Sequence, residues 1–297
     1  MPKKQPLNAM PKFTLFGFET SYEEAKVVAL PVPYDSTSSY KSGSREGPRA
    51  IINASRFIEP FSYELGFDIS KRVLVYTMDE LMPDFSSPEH TINRIKKEVS
   101  IILEDKKMPL LLGGEHTISL GSLSSLKEKG FDLTVVQFDA HSDTYPELNS
   151  TKYSHASIIA RAKELYSDVF QIGIRSIDEK SFKELNEERV FFAEDVRKQG
   201  AREIGQLINK KSKKNVYVTF DFDVLDPSEM PSVGTPEPNG LRFEEIVALM
   251  QEIAKGKNLA GADFVELMPI PGLDAPNYLA AKLIYLFLGY FIRGANG

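Results

Sequence analysis

In the stretch LTVVQFDAHSDTYP, residues 133–146, a continuous apolar run ends in Asp139, His141 and Asp143, spaced two apart. The run is rich in β-branched residues and does not alternate with polar ones, which is the pattern of a strand covered on both faces. Seven other segments share this character: KVVALPV (26–32), RVLVYT (72–77), MPLLLGG (108–114), DVFQIGI (168–174), RVFFA (189–193), NVYVTFDFD (215–223) and LAGADFVEL (259–267). Helical spacing fills most of the gaps, at 88–105, 117–129, 155–166, 178–188, 195–211 and 243–255. Strand alternating with helix predicts an α/β fold built on a parallel sheet with crossover helices. No linker, low-complexity tract or internal repeat interrupts the pattern, so residues 1–297 are read as a single domain.

Bulk properties narrow the function. Lys plus Arg number 36 against 42 Asp plus Glu, a net charge of −6, where a nucleic-acid surface calls for a basic excess. There is no cysteine, which excludes disulfides, thiolate metal sites and cysteine nucleophiles. The amino-terminal MPKKQPLNAMPKF lacks the apolar core of a secretory signal. The longest apolar stretch, YLAAKLIYLFLGYFI (278–292), contains Lys282 and is too short to span a bilayer comfortably; it reads as a buried helix. A cytoplasmic protein with no membrane or nucleic-acid partner is expected.

In open parallel sheets, functional groups collect at the carboxyl ends of the strands. Four segments place polar residues there. LLLGGEHTISLG (110–121) carries His116, and VVQFDAHSDTY carries Asp139, His141 and Asp143. VYVTFDFDVLDPS (216–228) carries Asp221 and Asp223, two apart and so on one side of an extended backbone. GADFVELMP (261–269) carries Glu266, and KYSHAS adds His155 after the DxHxD triplet. Three of the four histidines lie in these segments; His90, in SSPEHT, reads as surface.

Each segment alone has a plain structural explanation. Aspartate and histidine serve turns and caps, Asp226 before Pro227 reads as a turn or supporting residue, and Glu266 alone could be a core carboxylate paired with an arginine. Two acids flanking Phe222 in an apolar strand are costly to bury without a cation. Together, two imidazoles and four carboxylates carry more negative charge than one divalent ion balances. Two ions sharing bridging carboxylates, as in water-activating two-metal hydrolases, balance it. Carboxylate-rich ligation without thiolates favours ions such as Mn²⁺.

These motifs resemble the ureohydrolase family (arginase, agmatinase and relatives). The likeness runs nearly end to end, through PVPYDSTSSYKSGSREGPRAI (31–51), GGEHTISLG, FDAHSDTY, SHAS, DFDVLDPS and VELMP. It implies a three-layer α/β/α fold with a mainly parallel eight-stranded sheet and two Mn²⁺ per chain. By motif position it implies that His116, Asp139, Asp143 and Asp221 serve one ion and Asp139, His141, Asp221 and Asp223 the other, with Asp139 and Asp221 shared. His155 matches the proton-shuttling histidine, a role suited to a group titrating near neutrality. Glu266 matches the carboxylate that receives the guanidinium of a small cationic guanidino substrate. The family commonly forms trimers or hexamers, so a homo-oligomer is expected.

Tyr145 stands where arginases carry an asparagine for the α-amino-acid head group, as in agmatinase-like members. Asp178, in IGIRSIDEK, lies near where arginases place an acid for the α-amine; an acid there also suits the terminal amine of agmatine or a longer polyamine. The expected reaction is agmatine plus water to putrescine plus urea. N1-aminopropylagmatine comes next, then arginine or a guanidino acid. A metal-dependent deacylase and a non-catalytic binding protein are the rivals of other classes.

Overall fold

The computed structural model describes residues 10–295, so residues 1–9 of the stretch read as lacking a signal lie outside the described residues. The strands in chain order are β1 (Val27–Val32), β2 (Phe61–Ser62), β3 (Phe67–Asp68), β4 (Val75–Thr77), β5 (Met108–Gly113), β6 (Thr134–Phe138), β7 (Val169–Ile174), β8 (Val190–Phe192), β9 (Asn215–Asp221) and β10 (Asn258–Val265). The α-helices are α1 (Gly47–Ser55), α2 (Pro88–Glu104), α3 (Ser119–Glu128), α4 (Ile158–Leu165), α5 (Glu179–Glu184), α6 (Ala193–Gln199), α7 (Ala201–Lys211), α8 (Phe243–Ile253) and α9 (Ala275–Ala295).

Eight strands form one sheet in the order β4-β1-β5-β10-β9-β6-β7-β8, and the pairings within it are parallel. The short β2 and β3 pair separately as an antiparallel hairpin. Each apolar run alternates between two helix layers, as strand geometry requires. On β6, Val136 and Phe138 pack in a core with α7, α8 and α9, whereas Val135 faces α3 and α4. Helix α9 is long and apolar enough to cross a membrane by length and composition, but 72% of that window is buried within the protein.

Phe138, Phe220 and Phe264 align across β6, β9 and β10, with ring centroids 5.3 and 5.4 Å apart. This aromatic row underlies the carboxyl ends of the central strands. Those ends belong to β5, β10, β9 and β6, which are consecutive in the sheet.

Several local expectations shift. Asp221 ends β9, but Asp223 lies in the 3-10 turn Phe222–Val224, so the two acids do not share an extended backbone. The turn forms because Asp221 Oδ1 accepts the Asp223 N–H at 2.8 Å, a side-chain cap that competes with the sheet. The helix expected over 195–211 is two helices, α6 and α7, separated by Gly200 at φ 98°, a conformation that leaves the helical region. The one expected over 178–188 is the short α5, with Asp178 as its cap: Oδ1 accepts the Lys180 and Ser181 N–H groups at 3.0 Å.

A candidate binuclear metal centre

The chain after five strands, β5, β6, β7, β9 and β10, delivers expected residues into one cavity of about 370 Å³, lined among others by His116, His141, Asp143, Tyr145, His155, Asp178, Asp221, Asp223 and Glu266, with Asp139 fully buried outside its lining. His116 opens a 3-10 turn after β5, Asp139 follows β6 directly, and Glu266 follows β10. Asp143 and Glu266 hold φ of 49° and 66°, the left-handed region that non-glycine residues avoid. Such strain persists where surrounding contacts enforce it, commonly at functional sites.

Asp139 stands between the two imidazoles. Its Oδ2 lies 3.1 Å from His116 Nδ1, and its Oδ1 lies 3.6 Å from His141 Nδ1. His116 Nδ1 is also 3.1 Å from Asp143 Oδ2 and 3.6 Å from Asp221 Oδ2, and His141 Nδ1 is 2.9 Å from Asp223 Oδ2. In each of two groups the ligand atoms all lie within 4.8 Å of one another: His116, Asp139 and Asp221, then Asp139, His141 and Asp223. Asp139 is common to both groups. Asp221 falls in the first group alone, and Asp143 stands beside His116 outside both.

The chemistry of these donors fits cations. His116 Nε2 lies 2.7 Å from Thr219 Oγ1, whose own hydrogen goes to Asp263 Oδ1 at 2.7 Å. Thr219 therefore accepts from Nε2–H, so that once the neighbouring carboxylates' pull on a second proton is replaced by a cation, the neutral ring offers its lone pair at Nδ1. That Nδ1 is buried and makes no hydrogen bond, although carboxylates surround it. Four buried carboxylates without compensating charge are prohibitively costly, and two divalent ions would neutralise them.

Without metal, protons supply part of that charge. Burial lowers the His141 pKa, but Asp223 and Asp139 outweigh it and hold the imidazole up at about 12. A cation binding at His141 must displace that proton. Metal uptake by the metal-free chain is therefore expected to release protons, and apparent affinity to rise with pH across the neutral range. Calorimetry at pH 7 in buffers of different ionisation enthalpy reads this directly; an uptake heat that ignores the buffer would remove His141 from the ligand set.

Glu266 accepts the His116 N–H on Oε1 at 2.7 Å, and burial, then Glu115, raises its pKa to about 8. A guanidinium arriving beside it would favour the carboxylate. Burial pushes His155 down to about 4, with positive charge on His116 and His141 adding to the shift. That is below the near-neutral range expected for it, so at neutral pH the His155 imidazole is neutral. Tyr145 lies at the cavity, 43% exposed.

A sequence profile of the arginase family matches residues 25–289. The chain belongs to the arginase family. It is 37% identical to the N(1)-aminopropylagmatine ureohydrolase of Thermus thermophilus over 273 residues, 91% of this chain and 92% of that protein. It is 33% identical to the agmatinase of Bacillus subtilis over 252 residues, 84% of this chain and 86% of that protein. The crystal structure of the agmatine ureohydrolase of Thermoplasma volcanium superposes with a TM-score of 0.85 at 32% identity, covering 96% of this chain and 95% of the other.

In this arginase-family chain, the candidate ligands are held by residues that sequence reasoning missed. Gln137 Nε2 donates to Asp139 Oδ2 at 2.7 Å, and Gln171 Nε2 donates to Gln137 Oε1 at 2.8 Å. Asp263 accepts from both Tyr217 and Thr219, at 2.6 and 2.7 Å. The available signal was a polar residue inside a continuous apolar strand: Gln137 in TVVQF, Gln171 in VFQIG, Thr219 in YVTFD and Asp263 in GADFV. A buried polar group needs a partner, so each of these marks a network. Arg175 is another: its guanidinium donates to the carbonyls of Gly173, Asp223, Glu237 and Pro238, pinning the Asp223 turn.

Proposed function

We propose that this chain hydrolyses the guanidino group of a small cationic substrate, releasing urea, and that the substrate is agmatine. The observation that carries this reading is the cavity itself. It brings the ligand cluster and Glu266 together with Asp178, whose Oδ2 is buried without a hydrogen-bond partner. One carboxylate suits a guanidinium beside the ligand cluster, and the other suits an amine at the far end of a short chain. Tyr145 offers no amide for an amino-acid head group.

Two Mn²⁺ held by His116, Asp139, His141, Asp143, Asp221 and Asp223 would supply a deprotonated water as nucleophile and stabilise the developing negative charge. Glu266 would fix the guanidinium with a charge-assisted pair. His155, neutral at rest, would take up a proton and deliver it to the leaving amine as the C–N bond breaks. The products are urea and putrescine.

N1-aminopropylagmatine is the second reading, favoured by the 37% identity to the Thermus thermophilus enzyme. The deciding experiment is urea release with manganese supplied, from agmatine, N1-aminopropylagmatine, arginine, guanidinobutyrate and guanidine. Agmatine turned over with the highest kcat/KM supports the proposal, preference for N1-aminopropylagmatine supports the second reading, and no urea from any compound refutes both. Asp178→Asn is expected to lower kcat/KM about tenfold for amine-tailed substrates and leave guanidine unaffected, since a charged hydrogen bond contributes about 1.5 kcal/mol or more. Equal losses for guanidine would remove Asp178 from amine recognition.

A further inference from the structure

Glu115 is fully buried between Gly114 and His116, and none of the roles above uses it. Its carboxylate accepts from the neighbouring Thr117 side chain and, twice over, from one residue of a loop remote in sequence. Oε2 accepts the Thr37 backbone N–H at 2.6 Å, and Oε1 accepts the Thr37 hydroxyl at 2.7 Å. Thr37 Oγ1 lies 3.1 Å from His155 Nδ1 and also accepts the His155 backbone N–H at 3.1 Å. Thr37 is separated by 78 residues from Glu115 and by 118 from His155, so only the folded chain assembles this relay.

The direction of the relay follows from counting hydrogens. A hydroxyl has one hydrogen, and Thr37 gives it to the ionised Glu115 carboxylate. Toward His155 the Thr37 oxygen can therefore only accept, which places the imidazole proton on Nδ1. The lone pair is left on Nε2, the nitrogen free to serve the cavity. We propose that Glu115, acting through Thr37, is a positioning residue that holds the His155 ring in the tautomer able to accept a proton at Nε2. This rests on the proton-transfer role assigned to His155 above. It also places one metal ligand, His116, and the anchor of the proton carrier on adjacent residues, so a single turn after β5 positions both.

Five variants, His155→Ala among them, test the relay in manganese-loaded enzyme, by urea release from agmatine and N1-aminopropylagmatine with metal content measured in parallel. Thr37→Val removes the hydroxyl at nearly constant volume and is expected to lower kcat about tenfold or more, with KM and metal content within twofold of the parent. Thr37→Ser keeps the hydroxyl and is expected to recover most of that loss. Glu115→Gln can donate its amide to Thr37 Oγ1, which turns the Thr37 hydrogen toward Nδ1 and favours the opposite tautomer, so kcat should fall. Because the two residues act in series, Thr37→Val combined with Glu115→Gln should be no slower than the slower single variant.

The relay is overturned if Thr37→Val keeps parental kcat while His155→Ala is slow, if Thr37→Ser is as slow as Thr37→Val, or if the two losses multiply. If His155→Ala also keeps parental kcat, the role of His155 falls with the relay. No urea from the parent enzyme would refute the functional reading beneath both.

Discussion

Asp223→Ala is expected to lose one of two bound metal ions and to lower turnover on the order of a thousandfold, because activating water by a second cation is worth several kcal/mol. The carboxylate has two partners that alanine cannot serve. Oδ2 faces His141 Nδ1 at 2.9 Å, and Oδ1 accepts the Ala140 N–H at 2.9 Å. Losing the first leaves His141 and Asp139 as an incomplete set, and losing the second frees the backbone between Asp139 and His141. Asp223→Asn separates these effects, since its carbonyl can still accept from Ala140 while the charge is gone. It too should fall to about one ion per chain, now with the backbone contact kept. Metal analysis after reconstitution with excess manganese, beside urea release, checks both variants; two ions and parental turnover in Asp223→Ala would remove it from the centre.

Gly114→Ala is expected to cost about 3 kcal/mol of stability or more, beyond what repacking relieves. A Cβ there would sit 2.0 Å from the Tyr34 carbonyl oxygen, with the Tyr34 carbonyl carbon and nitrogen at 2.7 and 2.8 Å. These are backbone atoms that cannot turn aside. Relief would require separating the ends of β1 and β5, where Gly114 N–H donates to Val32 O at 3.0 Å and Glu115 N–H to Tyr34 O at 2.7 Å. Gly114 O also accepts the Glu266 N–H at 2.7 Å, so the shift would reach Glu266 and His116 together. A fall in Tm of roughly 6 °C or more, with lost turnover in whatever fraction folds, is the expected reading. Gly130→Ala is the control: φ there is +77° with nothing within 4 Å, so the cost is only conformational, about 1–2 kcal/mol. Equal unfolding midpoints for the two variants would show that the close approach to Tyr34 carries no special cost.

Much of the fold could be read from local pattern. Each of the eight apolar runs contains a strand of the main sheet, because a strand covered on both faces must be apolar throughout. Errors arose where one residue's conformation overrides a period. Gly200 splits the helix expected over 195–211, and the Asp221 side chain turns the chain at Phe222, so Asp223 reaches the centre from a turn. Asp178 was expected near a substrate amine, and the structure adds that its Oδ1 caps α5 while Oδ2 stays without a hydrogen-bond partner. His155 was expected near neutrality, but its burial in the cavity lowers it, and burial depends on chains distant in sequence.

By itself the sequence determined which chemical groups stand at which strand ends. A parallel sheet sends every strand the same way, so residues that follow apolar runs gather on one edge whatever the strand order. Only the tertiary structure decided that β5, β10, β9 and β6 are neighbours, which brings His116, Glu266, Asp221 and Asp139 within reach of one another. It alone also decided that Thr219 holds His116 and that Thr37 joins Glu115 to His155. The physical reason is range. Strand and helix patterns are set by neighbours a few residues apart, whereas strand order and buried hydrogen-bond partners are set by packing between segments 150 residues apart and more, as in the bonds from His116 N–H to Glu266 and from Ile69 N–H to the Tyr285 hydroxyl.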